Sequence, residues 1–403
     1  MDHNNQLGSQ ADHDFSLVNA LVDVFIPGAP RSALTLSILA WAGCWIGRGA
    51  YTLFCGQPLF PNIFVQLIGP RLAFEPLRRP LAEIFGDVES PPLIAPGGVK
   101  HALGLLYFIR DPLMRSEREM TEPGESAVFS RTMVDDGQKE RRLLIVQPLA
   151  RTLAKKARSA GPLVDTLTEA FLGRNLIEFT SLRDGGHLRS SEPHVSLLSN
   201  CSKAGLGEIC PTFRDLCVFA SCDTSPQVRD LAPRDEDELF VFRHELLRNL
   251  RAASGVLRVA PLASAAIDYA TRQLQQDQRP VAAFKIVKLA LLFAVLNGSG
   301  TIDERHVREG VSLFQNSERE LHAAEIAAGA EEIERAACRI VHALRSQPGM
   351  SASALQALFQ RNLPSEVMIA AKEKILSDGR AHRVPTRGSQ GRPQQTWYPG
   401  RGS

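Results

Sequence analysis

Residues 69–76 have the spacing at which a phosphate loop does its chemistry. In G-x-x-x-x-G-K-[ST] a glycine-rich backbone wraps the phosphates, the Lys meets the β/γ oxygens and the hydroxyl holds Mg²⁺. Counted from Gly69, the second Gly position holds Phe74, the Lys position Glu75 and the hydroxyl position Pro76. A phenyl ring blocks close backbone approach and a carboxylate repels phosphate. Proline offers neither hydroxyl nor N–H. The other half of this chemistry is a carboxylate at the end of a neighbouring strand, which holds the metal's hydration shell. The matching strand candidate, Arg142–Gln147, ends in a neutral amide. Gln147 can hydrogen-bond a water but cannot offset a divalent charge. On these residues alone two readings stand: a disabled phosphate loop, or a plain strand and loop with no nucleotide ancestry.

Other groupings are weaker. Asp184, His187 and His194 surround a Gly-Gly turn, and Cys201, Cys210, Cys217 and Cys222 are spaced by nine, seven and five positions without a C-x-x-C half-site. Neither has metal-ligand spacing. Arg214 could act as an arginine finger by position, but a dead loop leaves it nothing to act on. Asp235–Glu238 is explained by carboxylates at a helix start, where the dipole favours them. The residues imply no catalytic group, no metal and no cofactor.

The elements that must position these residues follow from the pattern. Ile63–Ile68, Arg142–Gln147, His194–Leu198 and Leu216–Ala220 are short apolar runs, which is how buried parallel strands read; Tyr51–Cys55 is a further strand candidate. Leu77–Phe85 has helical spacing after the loop. Asp14–Pro27, Ala33–Ile46, Leu149–Ala160 and Leu163–Leu172 are predicted helices, and Val99–Ile109 is a helix or strand. Residues 111–141 are polar and poorly patterned and read as a surface insertion. From Asp235 onward the pattern is helical: Asp235–Ala252, Pro261–Gln276, Val281–Leu296 and Asp303–Ala323. Val281–Leu296 is apolar on most sides and should be buried.

The chain has 403 residues, 44% hydrophobic and 22% charged, with a net charge of +2, so global charge does not argue for nucleic acid. Seven cysteines form no disulfide framework and point to a reducing compartment. The polar, acidic start is neither signal nor transit peptide, and Ala33–Ile46 is too short to span a bilayer. The expected location is cytoplasmic, without membrane contact.

Taken in order, four passages resemble the YfjI-like family of phage, plasmid and mobile-element proteins, a domain of unknown function similar to P-loop helicase and primase-associated ATPases. PNIFVQLIGP resembles its strand before the phosphate loop. RRLLIVQPLARTLAKKARSAGPLVDTLTEAFLGRNL resembles its metal-side strand and following helices, with an acidic residue usual at position 147. HVSLLSN resembles its next core strand, with Asn200 in a sensor-like place. KIVKLALLFAVLNGSGTIDERHVREGVSLFQNSE resembles its helical portion, where Arg is usual at Lys288. The likeness covers about residues 30–325. It implies an α/β fold with a degenerate P-loop core of RecA/helicase type and an all-α extension. The degenerate nucleotide site would comprise Gly69, Phe74, Glu75, Pro76, Gln147 and Asn200. Loss of two separate parts of one chemistry favours a lost function over chance.

Residues 331–403 are legible without any family. Glu331–Arg345, Ala354–Gln360 and Glu366–Leu376 are predicted helices, and Ala381–Pro385 with Thr396–Tyr398 a ribbon around the loop TRGSQGRPQ. Helix, helix, helix and wing is the order of a winged helix, whose third helix enters the major groove. From Arg361 to Ser403 eight Arg and Lys stand against three acids, a local +5. Arg361, Lys372, Lys374, Arg380, Arg383, Arg387 and Arg392 are the DNA-contact candidates, with Trp397 and Tyr398 anchoring the wing.

The domain reading is a disordered tail over 1–14, the P-loop-like α/β domain over 15–232, the helical extension over 233–330 and the winged helix over 331–403. The functional expectation is a non-catalytic DNA-binding accessory protein of a mobile element, in replication or maintenance. Its expected partners are duplex DNA, replication proteins of the same element and a second copy of the chain. The alternatives are an active DNA-dependent ATPase with a non-standard loop and a protein-interaction scaffold.

Overall fold

The computed structural model describes residues 16–25, 30–70, 75–86, 91–95, 99–119, 128–149, 152–154, 160–179, 187–222, 235–275, 281–360, 362–387 and 393–400. The expected tail over 1–14, Phe74, Asp184, Arg361, Arg392, most of Leu149–Ala160 and most of the wing loop lie outside them.

The apolar runs assemble into one parallel sheet of five strands, in the order Cys217–Ser221, Phe64–Ile68, His194–Cys201, Arg142–Val146, Leu93–Ile94. Phe64–Ile68 and His194–Cys201 are buried along their whole length, so both faces are covered, and they bury the polar Gln66, His194, Ser196, Ser199 and Asn200 among their apolar residues. Alternation splits the two faces. Phe64 meets Phe171 and Phe213 on one side, with ring centroids 5.3 and 6.3 Å away. Val65 and Leu67 join the core containing the helix Arg31–Ile46 and Leu77, Leu81 and Ile84 on the other.

Arg31–Ile46 is apolar nearly all round and lies against the sheet. Gly43 makes its close approach feasible: a Cβ there would lie 2.2 Å from the Pro61 carbonyl oxygen. Val281–Leu296 is buried on nearly every side, among the helices Glu236–Ala252, Pro261–Gln275 and Arg31–Ile46. It ends at Gly298, whose φ of +69° suits glycine. Asp235 caps Glu236–Ala252 by accepting from the Asp237 and Glu238 N–H groups, so the acidic run sits at a helix start.

Two local expectations change. Within 111–141, Leu113–Glu119 and Val128–Asp135 form an antiparallel hairpin. Polar residues dominate the first of these strands, which masks the period-two signal. The helices read over Asp303–Ala323 and Glu331–Arg345 are one helix, Glu304–Ser346. The intervening HAAEIAAGAEE is rich in Ala and Glu, good helix formers that carry the helix through Gly329.

The chain divides into two compact units, Met1–His322 and Ala323–Ser403. The second has its own core: Ala337, Ile340 and Leu344 of the long helix, Leu355, Met368, Ala371 and Ile375 of the helices Ala352–Ala357 and Ser365–Ser377, and Ala381 and Trp397 of the ribbon. Met350–Ser351 and Ala381–Arg387 flank Pro393–Pro399 in an antiparallel three-stranded sheet. Among the described residues no helix is long and apolar enough to cross a membrane.

Candidate functional site

The sheet order sets the place of the first site. From Phe64–Ile68 the chain moves three places to the edge strand Leu93–Ile94. It returns one place at a time through Arg142–Val146 to His194–Cys201, then passes over the first strand to Cys217–Ser221. Right-handed crossovers put the outward and return connections on opposite faces. The carboxyl ends of Phe64–Ile68 and His194–Cys201 therefore flank a topological switch point, where open α/β sheets bind ligands. Beside it, a cavity of about 560 Å³ opens at the carboxyl ends of Arg142–Val146 and His194–Cys201, walled by Trp41, Leu81, Ala82, Ile94, Val146 and Leu198, with Arg78, Gln147, Ser199 and Asn200 as its polar lining. Trp41 stacks on Phe85 at 5.5 Å.

The candidate residues in this region already serve the fold. The Gly69 N–H donates to the Cys201 carbonyl at 2.9 Å and so prolongs the ladder. Glu75 is the first residue of the helix Glu75–Phe85, and Pro76 follows in the first turn, where a missing N–H costs nothing. Pro76 is buried. The Gln147 side chain behaves as a strand residue would: Oε1 accepts from the Val99 N–H at 2.7 Å and Nε2 donates to the Val99 carbonyl at 2.8 Å. A carboxylate could make only the first of these bonds. Asn200 is 8% exposed and lines the cavity. Beside it the Ser199 hydroxyl accepts from the Leu149 N–H at 3.1 Å. These residues do not fit a metal–triphosphate group: the metal-side position is an amide engaged with backbone, the loop's first glycine is paired in the ladder, and the Lys position is acidic. Among the described residues no group of three or more His, Cys, Asp or Glu could hold a metal.

Lys288 stands at the other end of the sheet. It is fully buried, and Nζ lies 3.0 Å from the Phe60 carbonyl, 3.0 and 2.5 Å from the Asn62 carbonyl and Oδ1, and 2.8 Å from the Phe171 carbonyl. Asn62 Nδ2 in turn donates to the Ala170 and Val195 carbonyls. Lys288 thus ties the helix Val281–Leu296 to the amino end of Phe64–Ile68. That is about 20 Å from Gly69 at roughly 3.3 Å per residue. Burial holds its pKa well below the usual lysine range. His194, also buried, reaches the Gly43 carbonyl at 2.8 Å through Nε2, and burial pushes its pKa down to about 3. Sequence reasoning missed both anchors, because their partners are mostly backbone carbonyls and all lie far away in the chain.

The seven cysteines are free. Cys201 and Cys217 are buried, and burial raises both thiols, Cys201 to about 12.

The structure sorts the basic candidates of the second unit into two groups. Arg380 grips Glu334 with two bonds, at 2.7 and 3.1 Å, and Asp378 at 2.7 Å. Lys374 joins the same pair of acids at 3.5 and 3.8 Å. The Arg380 bonds hold the Glu334 carboxyl down at about 2. Lys372 lies instead over the Trp397 ring, 5.8 Å from its centroid, and Arg383 is exposed opposite Trp397 in the ribbon register. Arg387 takes the register position opposite Pro393. Trp397 is buried at 3% exposure, and Tyr398 is half-buried and stacks on His382 at 5.5 Å.

No protein-family model matches the chain, and no curated protein matches it. Among solved structures, a full-length MCM homolog from Methanopyrus kandleri is similar at 13% identity and a TM-score of 0.41, over 76% of this chain and 59% of that one. The chain therefore spans less than two thirds of that protein's length.

Proposed function

We propose that this chain is a non-catalytic DNA-binding accessory protein of a mobile element, acting in replication or maintenance, with a pseudo-ATPase core related to the YfjI-like family and a basic winged helix. The observation that carries the reading is the state of the switch point. A cavity lies beside it at the ends of the neighbouring strands, while Glu75, Pro76 and Gln147 stand where a P-loop would place its Lys, its hydroxyl and its metal-side carboxylate. The three helices and ribbon of the second unit support a winged helix, and its local +5 supports a polyanionic partner. The test is radiolabelled ATP hydrolysis with and without duplex DNA, beside a salt titration of duplex binding. No turnover and salt-sensitive binding are expected. Turnover abolished by Gly69→Val would overturn the reading in favour of an ATPase with a non-standard loop.

One observation favours a second reading, in which the winged helix meets protein. The outward stripe of Ser365–Ser377 is Glu366, Ile369 and Glu373, with Ile369 56% exposed. Beside it lies a pocket of about 210 Å³ lined by Phe359, Leu363 and Met368. Duplex binding that is absent or indifferent to salt would select this reading.

A further inference from the structure

The third helix of a winged helix is the element expected to enter the major groove. Here its outward stripe, spaced i, i+3, i+7, is Glu366, Ile369 and Glu373, all exposed. Two carboxylates offered to a groove lined by phosphates meet repulsion on both sides. Of its two lysines, Lys374 is already held between Glu334 and Asp378. Arg380, just beyond the helix, is held by the same acids.

Two further cations are Lys372 of this helix and Arg383 of the ribbon. Arg383 is exposed and faces Trp397 across the strands, and directly opposed residues share a face of the sheet. The Lys372 ammonium stands over the same indole. The Arg383 guanidinium also reaches Gln395 Oε1 at 3.4 Å, two residues along on the same face of the neighbouring strand. One cation therefore stands over a buried aromatic ring and the other holds the strand position opposite it, where the helix meets the wing. Neither has a carboxylate partner among the ion pairs of the described residues. Their donors suit phosphate oxygens, which fix a duplex in place without reporting its sequence.

Resting on the DNA reading above, we propose that duplex DNA is gripped on its phosphates by the Lys372–Arg383 face of the wing, while the outward face of Ser365–Ser377 stays out of the groove, so that binding is indifferent to sequence. The experiment uses the full chain and fluorescence anisotropy with two labelled duplexes of unrelated sequence, titrated between about 50 and 200 mM salt. The parent should bind both duplexes within about twofold of each other. Lys372→Gln with Arg383→Gln should weaken both equally and lower the magnitude of the log–log salt slope by about 1.8, at about 0.9 per lost phosphate contact. Arg383→Gln alone, at an exposed side chain, should lower it by about 0.9 and keeps the test intact if the double variant folds poorly. Lys374→Gln, and Glu366→Gln with Glu373→Gln, should leave both slope and affinity unchanged. The proposal is overturned if the two Glu→Gln changes tighten one duplex more than the other, or if Lys374→Gln flattens the slope as much as Arg383→Gln. A parent that binds neither duplex in a salt-dependent way refutes the DNA reading itself. A parent that binds while Arg383→Gln is silent refutes only the wing grip.

Discussion

Gln147→Glu restores the carboxylate that a metal-side strand would carry, and the structure predicts that it damages the protein rather than reviving it. The wild-type amide makes two bonds to the Val99 backbone, one in each direction. An ionised Glu keeps the bond from the Val99 N–H but turns a second lone pair toward the Val99 carbonyl, 2.8 Å from the present Nε2. One net hydrogen bond is lost, about 1 kcal/mol, and a carbonyl of a buried residue is left unpaired, a further 1–2 kcal/mol or so. The expected loss is about 2–3 kcal/mol, a sizeable share of the roughly 5–15 kcal/mol that holds a folded domain. Urea unfolding should show a lower midpoint at unchanged slope, by up to about 1 M for a slope near 3 kcal/mol/M. The pH dependence carries a sign. Once protonated, the introduced carboxyl donates to the Val99 carbonyl, so its folded pKa is raised above the unfolded value near 4.3. The stability this contributes is present below the unfolded pKa and lost as pH rises through the folded one, so the deficit against the parent should shrink in acid. ATP turnover should stay absent, since Glu75 and Pro76 are untouched. A variant as stable as the parent at neutral pH, or one with the same deficit at pH about 4, would show that the Val99 pairing is incidental.

Restoring the loop alone, by Phe74→Gly, Glu75→Lys and Pro76→Ser, should yield no ATP hydrolysis, because position 147 still lacks charge; radiolabelled product above background would contradict this. Lys288→Met removes the donor shared by the Phe60, Asn62 and Phe171 oxygens and should cost at least about 3 kcal/mol in denaturant unfolding; a cost within about 0.5 kcal/mol would refute the anchoring role. His194 has a folded pKa near 3, below its unfolded value of 6.5, so the unfolded chain takes up the extra proton between them and stability falls as pH drops through that window. The loss is at most about 1.4 kcal/mol per pH unit, and His194→Gln should flatten the acid limb of the stability curve. Gly43→Ala puts a methyl 2.2 Å from the Pro61 carbonyl oxygen and should lower the melting temperature by several degrees; an unchanged melt would mean that the helix and strand separate at little cost.

Local chemistry decided what the sequence could settle. Strands such as FVQLI and HVSLL announce themselves because both their faces are covered, and VAAFKIVKLALLFAVL because a helix apolar on most sides leaves little solvent face. The missing Lys and hydroxyl at Glu75 and Pro76 are equally local, since the spacing of a phosphate loop lies within eight residues. The order of the strands is not local: it places Cys217–Ser221 beside Phe64–Ile68, a pairing of segments about 150 residues apart, and so creates the switch point. Gln147 looks like a mere loss until Val99, 48 residues away, is seen to need both ends of its amide. Lys288 looks like a surface charge strayed into an apolar helix until Asn62, 226 residues away, is found beneath it. A charge count of the last residues treats Arg380 and Arg383 alike. Only the packed unit gives one to Glu334 and leaves the other on the wing, because an ion pair depends on which neighbours folding brings within a few ångströms, and composition holds no record of neighbours.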